Sequence, residues 1–300
     1  MLEEQFIYQF CYRKGLPYFG PYLHAVPGYV SKNGCYFDLV HQLAAACPSR
    51  DLNILEVGSW AGASAITFAM ALRRFAGNHG RVVCVDAWRP CLQGQYQNAP
   101  GGGACVYREM DEALGSGRIF DLFLHNTTCS GFQSSIVPVI GKAEAVLPLL
   151  GQEKFDLILI DGAHDYQRCR ADILSAIPLL KEGGIICGDD LELQAHQVDA
   201  SFTWANKERD CVYYAAADRD YHPGVTLAVA EVFGAVSTYD VVWAMQKSQG
   251  RWRAPSFTPM ADRELIESAL IKGSRLAYSD ALAGAGVPNL TMQGAYQDNP

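Results

Sequence analysis

The runs Asp156-Leu157-Ile158-Leu159-Ile160 and Gly184-Ile185-Ile186-Cys187-Gly188 constrain this chain more than any other feature, because each is short, apolar and ends in acid, at Asp161 and at Asp189-Asp190. Runs of this length and composition read as buried strands. The stretch between them, Tyr166 to Leu180, is of helical length, so the unit is strand, helix, strand, with the two strands parallel and their carboxyl ends on one edge. Three carboxylates and His164 are thereby gathered at the edge where open α/β sheets bind their ligands.

A chain of 300 residues with 49% hydrophobic and 19% charged content can bury a sizeable core as one large domain, alone or with a small appendage. The net charge of -8, with no local cluster of Lys and Arg, offers no footprint for a phosphate backbone, so nucleic acid is excluded as a partner. Met1-Leu2-Glu3-Glu4-Gln5 lacks the basic-then-apolar pattern of a signal peptide, and no apolar run reaches the roughly 18 residues that span a bilayer. The expectation is a cytoplasmic protein without a membrane partner. Ten cysteines are scattered without a C-x-x-C pair, with Cys84 and Cys187 inside apolar strands; they read as reduced thiols and not as a disulfide framework or zinc site.

The organisation follows from breakers and periodicity. Residues 1–34 hold Gly15-Leu16-Pro17, Gly20-Pro21 and Pro27-Gly28 and read as an N-terminal appendage. A domain over 35–249 begins with a helical pattern from Tyr36 to Ala46 and the strand Asn53 to Val57. The turn Gly58-Ser59-Trp60-Ala61-Gly62 and a helix from Ala65 to Phe75 follow. A second strand, Arg81 to Val85, ends at Asp86. Residues 88–118, with Gly101-Gly102-Gly103 and the aromatics Trp88, Tyr96 and Tyr107, read as a long loop or insertion, either a lid over the site or a loop stapled down by its aromatic rings. A strand over Ile136 to Ile140 and a short helix to Leu150 precede the 155–190 unit. Beyond it a helix is expected over Thr226 to Phe233, a strand over Thr238 to Met245, a helix over 260–283 and a loose tail, so 250–300 form a C-terminal extension.

The first turn points to the ligand. Glycine lets a backbone approach a ligand closely because it has no Cβ. Gly58 and Gly62 are spaced G-x-x-x-G, and Trp60 stands where the dinucleotide fingerprint needs a small residue, so a pyrophosphate cradle is disfavoured. Glu56 before the turn would repel a pyrophosphate and attract an amino group. Asp86, after the second strand, can accept from both hydroxyls of a ribose. The pair suggests a nucleoside bearing positive charge; singly, Glu56 reads equally as a core-edge carboxylate and Asp86 as a turn cap.

The segments ILEVGSWAGASA, VVCVDAW, GKAEAVLP, FDLILIDGAHDY and LKEGGIICGDD, in that order, resemble the class I S-adenosylmethionine-dependent methyltransferases. Within that family the chain is most similar to the O-methyltransferases of sugars and other natural products, including macrolide sugar methyltransferases, over roughly residues 28–246. The resemblance implies a doubly wound, Rossmann-like α/β fold with a mostly parallel seven-stranded sheet and helices on both faces. It implies S-adenosylmethionine at Glu56, Gly58, Ser59, Trp60, Gly62 and Ser64, at Asp86, Ala87 and Trp88, at Lys142 and Ala143 beside the adenine, and at Asp161. Trp60 departs from the small residue usual in the glycine-rich turn.

Asp161, Asp189 and Asp190 make a hard-oxygen site suited to Mg²⁺, and the metal-dependent members of the family carry acids at these same strand ends. A dication makes the proton of a bound hydroxyl easier to remove. His164, three residues after Asp161, can serve as general base, with Asp161 beside it in the reaction, or as an ordinary packed or capping residue. Asp189 and Asp190 have a capping alternative too. Asp165 and Asp172 read as a helix N-terminal charge and a surface charge. His196, Trp204, Tyr221 and His222 form either a substrate wall or loop of no special role. The expected reaction is in-line transfer of a methyl group to a hydroxyl of a small acceptor such as a sugar, glycosylated metabolite or vicinal diol, in a protein that can self-associate. The rivals are a nicotinamide-dependent oxidoreductase, against which the glycine spacing and Glu56 argue, and a binding partner that keeps the fold without turnover.

Overall fold

The computed structural model describes residues 9, 11–18, 30–46, 51–77, 79–91 and 103–258, with side chains omitted at 30–31 and 103–106. Its elements in chain order are α1 (Val30–Ala46), β1 (Leu52–Val57), α2 (Ala63–Phe75), β2 (Gly80–Asp86), α3 (Gly103–Gly115) and α4 (Arg118–Cys129). Then come β3 (Ile136–Ile140), α5 (Ala143–Val146), β4 (Phe155–Ile160), α6 (Tyr166–Ala176) and β5 (Leu180–Gly188). After these follow α7 (Ala200–Ala205), β6 (Val212–Tyr214), β7 (Arg219–Tyr221), α8 (Pro223–Phe233), β8 (Ser237–Tyr239), β9 (Val242–Ser248) and β10 (Arg251–Arg253).

The main sheet has eight strands where seven were expected, in the order β10-β9-β5-β4-β1-β2-β3 with β8 paired to β9. β1 to β5 pair in parallel, while β9 is antiparallel to β5. β4 lies between β1 and β5, and all six of its residues are buried, as a central parallel strand covered on both faces requires. β3 closes one edge, where Pro138 costs no central ladder bond. One core lies between the sheet and α1, α2 and α4, with Tyr36, Phe68 and Phe123; the other lies beneath α6 and α8, with Ile158, Ile173, Val229 and Trp243. The chain order reverses between β1 and β4, so the crevice between their carboxyl ends is the switch point at which such sheets bind ligands.

Several expectations need correction. Much of the expected loop at 88–118 is helix α3, and the next helix, α4, was not foreseen. Ile119, Leu122 and Phe123 of α4 do follow helical spacing, but the next inward position is Asn126, whose amide holds the backbone of Tyr18 and Ala61. The single strand expected over 238–245 is the hairpin β8–β9, turned at Asp240 with a φ of 53°. β10 falls in the segment read only as a C-terminal extension. α1 begins at Val30, so the boundary drawn at 34/35 falls inside a helix, and Cys11 and Tyr18 are buried in the same core. The expected helix over 260–283, the tail, Tyr96 and Gly101-Gly102 lie outside the described residues. Free thiols Cys11, Cys35, Cys84, Cys169 and Cys187 are buried. No helix among the described residues is long and apolar enough to cross a membrane.

Candidate active site

The turn after β1 is fixed by backbone geometry. Gly58 has a φ of 87°, and a Cβ there would stand 2.0 Å from the carbonyl oxygen of Asp161. Its glycine is thus required by the approach of the β1 and β4 ends to each other, besides any ligand. Trp60, with a φ of 45°, and Gly62, with a φ of 87° at the N-terminus of α2, complete the turn. A Cβ on Gly62 would press on the Phe123 ring at 3.0 Å.

Asp86 holds that turn. The backbone N–H groups of Ser59 and Trp60 each donate to its Oδ2 at 3.0 Å, and that of Trp88 donates to Oδ1 at 2.7 Å. The bland reading of Asp86 as a cap is realised, and the acid stays half-buried beside Ala87 at the carboxyl edge. Trp88 is a staple: its ring is buried between Phe120 and Phe123, and its Nε1 donates to the Trp60 carbonyl at 2.8 Å. Lys142 and Ala143 stand where β3 passes into α5, and the Lys142 side chain is exposed beside Glu144.

Glu56 is fully buried, and neither carboxylate oxygen has a hydrogen-bond partner of good geometry, although Ser59, Ser64 and Cys84 surround it. Burial, only partly offset by those hydroxyls and the thiol, pushes its carboxyl up to about 7. The Tyr36 hydroxyl is also buried without a partner, and Ser59 Oγ, beside Glu56, makes no hydrogen bond of good geometry. Such groups are costly to leave unsatisfied, which marks a place built for a polar ligand. An ammonium group against Glu56, with donors and acceptors from Ser59 and Tyr36 around it, fits the amino-acid end of S-adenosylmethionine.

The second half of the site gathers charges from five segments. His164, after β4, sits between two carboxylates, with Nδ1 2.7 Å from Asp210 Oδ1 and Nε2 3.1 Å from Asp190 Oδ2. Burial opposes its charge, but Asp190 and Asp210 outweigh burial and raise the imidazole to about 10. The two carboxylates thus favour the protonated ring in this arrangement, and loss of either negative charge would favour the neutral ring, with Nε2 freer to accept a proton. Asp210 also accepts from the Tyr107 hydroxyl of α3, and its carboxyl is held well below the usual range despite burial, chiefly by His164. His222, at the N-terminus of α8, packs edge-on against His164 with ring centroids 4.9 Å apart and meets Glu192 at 3.0 Å. Gly224 makes this approach possible, since a Cβ there would lie 2.2 Å from the His164 carbonyl.

Asp161, His164 and Asp190 each place a ligand atom within 4.8 Å of the others. Asp189 does not join them: it forms an ion pair with Lys32 of α1. Asp190 adopts a left-handed φ of 59°, and Asp189 lines the same small cavity as Asp161 and His164 while it pairs with Lys32. The structure thus draws together Asp161, His164 and Asp190, while Asp189 of the expected triad is held by Lys32; the carboxylates of this edge suit a divalent ion. Burial raises the Asp161 carboxyl against the pull of Lys32, while His222, His164 and Lys32 overcome burial to lower Asp190.

Asp165 caps α6 by accepting from the Arg168 N–H, as expected, but Asp172 is buried and not a surface charge. Tyr221 is buried against Thr203, whereas His196 is exposed and Trp204 stacks on Lys207 away from the acids. Sequence reading missed Lys32, Tyr36, Glu192 and Asp210. Only Tyr36 carried a signal, as an aromatic on the inward stripe of a helix.

Residues 55–191 match the family model described as a methyltransferase domain. No curated protein sequence matches the chain. Among solved structures, an O-methyltransferase from Bacillus cereus in complex with SAH is 18% identical, with 82% of this chain and 91% of that chain covered and a TM-score of 0.41. The O-methyltransferase NovP is 13% identical over 73% and 80% of the two chains, with a TM-score of 0.47. A TDP-rhamnose 3′-O-methyltransferase of calicheamicin biosynthesis is 16% identical over 72% and 79%, with a TM-score of 0.41.

Proposed function

We propose, for a chain that carries a methyltransferase domain, that it transfers the methyl group of S-adenosylmethionine to a hydroxyl of a small polyhydroxylated acceptor, a sugar or glycosylated metabolite, with a divalent cation at the acidic edge. The observation that carries the reading is Glu56, a fully buried carboxylate at the switch point of that domain whose oxygens accept no hydrogen bond of good geometry and face no cation among the described residues. An ammonium ion is the ligand that satisfies it.

S-adenosylmethionine supplies, when bound, an electrophilic methyl group on a sulfonium. Glu56 binds its amino end, Gly58 to Gly62 let it lie against the backbone, and the half-buried Asp86 offers its remaining lone pairs to the ribose while holding the turn. Lys142 and Ala143 border the base. A divalent cation, held by Asp161 and Asp190, supplies positive charge that lowers the pKa of an acceptor hydroxyl. Neighbouring hydroxyls match the several polar groups of this edge, which favours a vicinal diol.

His164 is the proton acceptor. Asp210 engages its Nδ1, which leaves Nε2, paired with Asp190 at 3.1 Å, to take the proton when the charge of Asp190 is taken up elsewhere. The acceptor oxygen forms its bond to the methyl carbon as the carbon–sulfur bond breaks, and the hydroxyl proton goes to Nε2. Holding both reactants in line supplies much of the rate.

Mass-shift screening against sugar, macrolide and phenolic acceptors tests the transfer, and EDTA should abolish it with Mg²⁺ or Mn²⁺ restoring it. Full turnover in chelator overturns the metal. Tight calorimetric binding of NAD in place of S-adenosylhomocysteine overturns the methyltransferase reading.

A further inference from the structure

Lys32 lies in the first turn of α1, on a segment the sequence set apart from the catalytic domain. Its side chain is 19% exposed, and its ammonium pairs with Asp189 Oδ2. The other oxygen of that carboxylate, Oδ1, is buried and has no partner. One helical turn further on, the Tyr36 hydroxyl is buried without a partner near Asp161, Asp190 and Glu56. Asp189 therefore satisfies only half of its capacity, and α1 delivers a positive charge to an edge that also holds Asp161 and Asp190.

Charge at this edge is unbalanced. Asp161, Asp189, Asp190, Glu192 and Asp210 face Lys32, His164 and His222. Fully ionised, the five acids exceed the three bases by two charges, the charge of one divalent ion. A lysine ammonium is a compact point charge on a flexible stem, able to leave one carboxylate without unfolding its helix.

We propose that Lys32 is a tethered cation that competes with the divalent metal for Asp189, so that α1 sets how readily the acidic edge takes up its ion. This rests on the reading of the site as a metal-binding methyltransferase. With Lys32 in place Asp189 faces α1; once Lys32 is released, Asp189 is free to turn toward Asp161 and Asp190 and complete the oxygen set. Because coupling is reciprocal, metal that displaces Lys32 also exposes its amine.

The test is Mn²⁺ binding to the full chain, followed by electron paramagnetic resonance. Lys32→Gln should bind Mn²⁺ about tenfold more tightly than the native protein. The double variant Lys32→Gln/Asp189→Asn should lose that gain, and Lys32→Arg, which keeps the charge, should stay near native affinity. Mn²⁺ should also speed amine labelling of Lys32 in the native protein. Equal or weaker Mn²⁺ binding by Lys32→Gln overturns the competition and leaves the metal site standing. Absence of Mn²⁺ binding in both native and Lys32→Gln proteins overturns competition and metal together. Calorimetry with S-adenosylhomocysteine on the same samples reports the donor site and the folding of each variant independently. If Lys32→Gln fails to fold, Lys32→Met is measured in its place against the same criteria.

Discussion

The two halves of the crevice are built by different means. Around Gly58, Asp86 and Trp88 the parts are held by backbone: positive-φ glycines, three amides on one carboxylate, and a ring wedged between two phenylalanines. Around His164 they are held by charge, with side chains from α1, the ends of β4 and β5, the segment before β6 and the start of α8. Backbone-fixed sites are preorganised and change little when a ligand arrives. A network of opposed charges can be re-paired by one added cation or by loss of one proton. The donor is thus expected to meet a finished surface, and the acceptor side to be set by what neutralises its acids.

Substitutions can break this contrast. The largest effect is expected for Gly58→Ala, where both the left-handed φ and the 2.0 Å approach to Asp161 forbid a Cβ. It should destabilise the fold by about 3 kcal/mol or more, read by urea unfolding, because backbone and not a flexible side chain stands in the way. An unchanged unfolding midpoint would show that the turn is soft. Asp210→Asn should leave S-adenosylhomocysteine affinity intact while lowering turnover about 100-fold, since it removes the charged partner that orients His164. Equal loss of binding and turnover would mean that the two halves are not separable. Asp86→Asn comes next: its amide cannot accept from all three N–H groups, so stability should fall by about 1–2 kcal/mol, with donor affinity falling alongside.

The half of the crevice around Gly58 and Asp86 was legible because its devices are local. Glu56-Val57-Gly58 and Asp86-Ala87-Trp88 each sit within a few residues of a strand end, and the strands themselves are apolar runs. The parallel order and the carboxyl edge follow from the same runs. The acceptor half was legible only in Asp161, His164 and the Asp189-Asp190 pair. The pairing of Asp189 with α1 was not legible, because its partner Lys32 lies on a helix far away in the sequence. Asp210 and Lys32 lie 46 and 157 residues from the partners they charge, His164 and Asp189, and neither belongs to a periodic pattern. Helix α3 was hidden by the glycines that precede it, and α4 by an inward-facing asparagine.

The central claim is that Glu56 is left bare for a cationic donor, and one substitution measures it. Glu56→Gln removes the charge and keeps the shape. A carboxyl raised to about 7 by burial stabilises the donor-free fold fully only below its unfolded value of about 4.3, and that contribution is lost as pH rises through 7. In the absence of ligand, therefore, Glu56→Gln should gain stability over the native protein between pH 5 and pH 8, while its affinity for S-adenosylhomocysteine at pH 8, measured by calorimetry, should fall at least about tenfold. Unchanged affinity at pH 8 would contradict the assignment of Glu56 as the donor's ammonium partner.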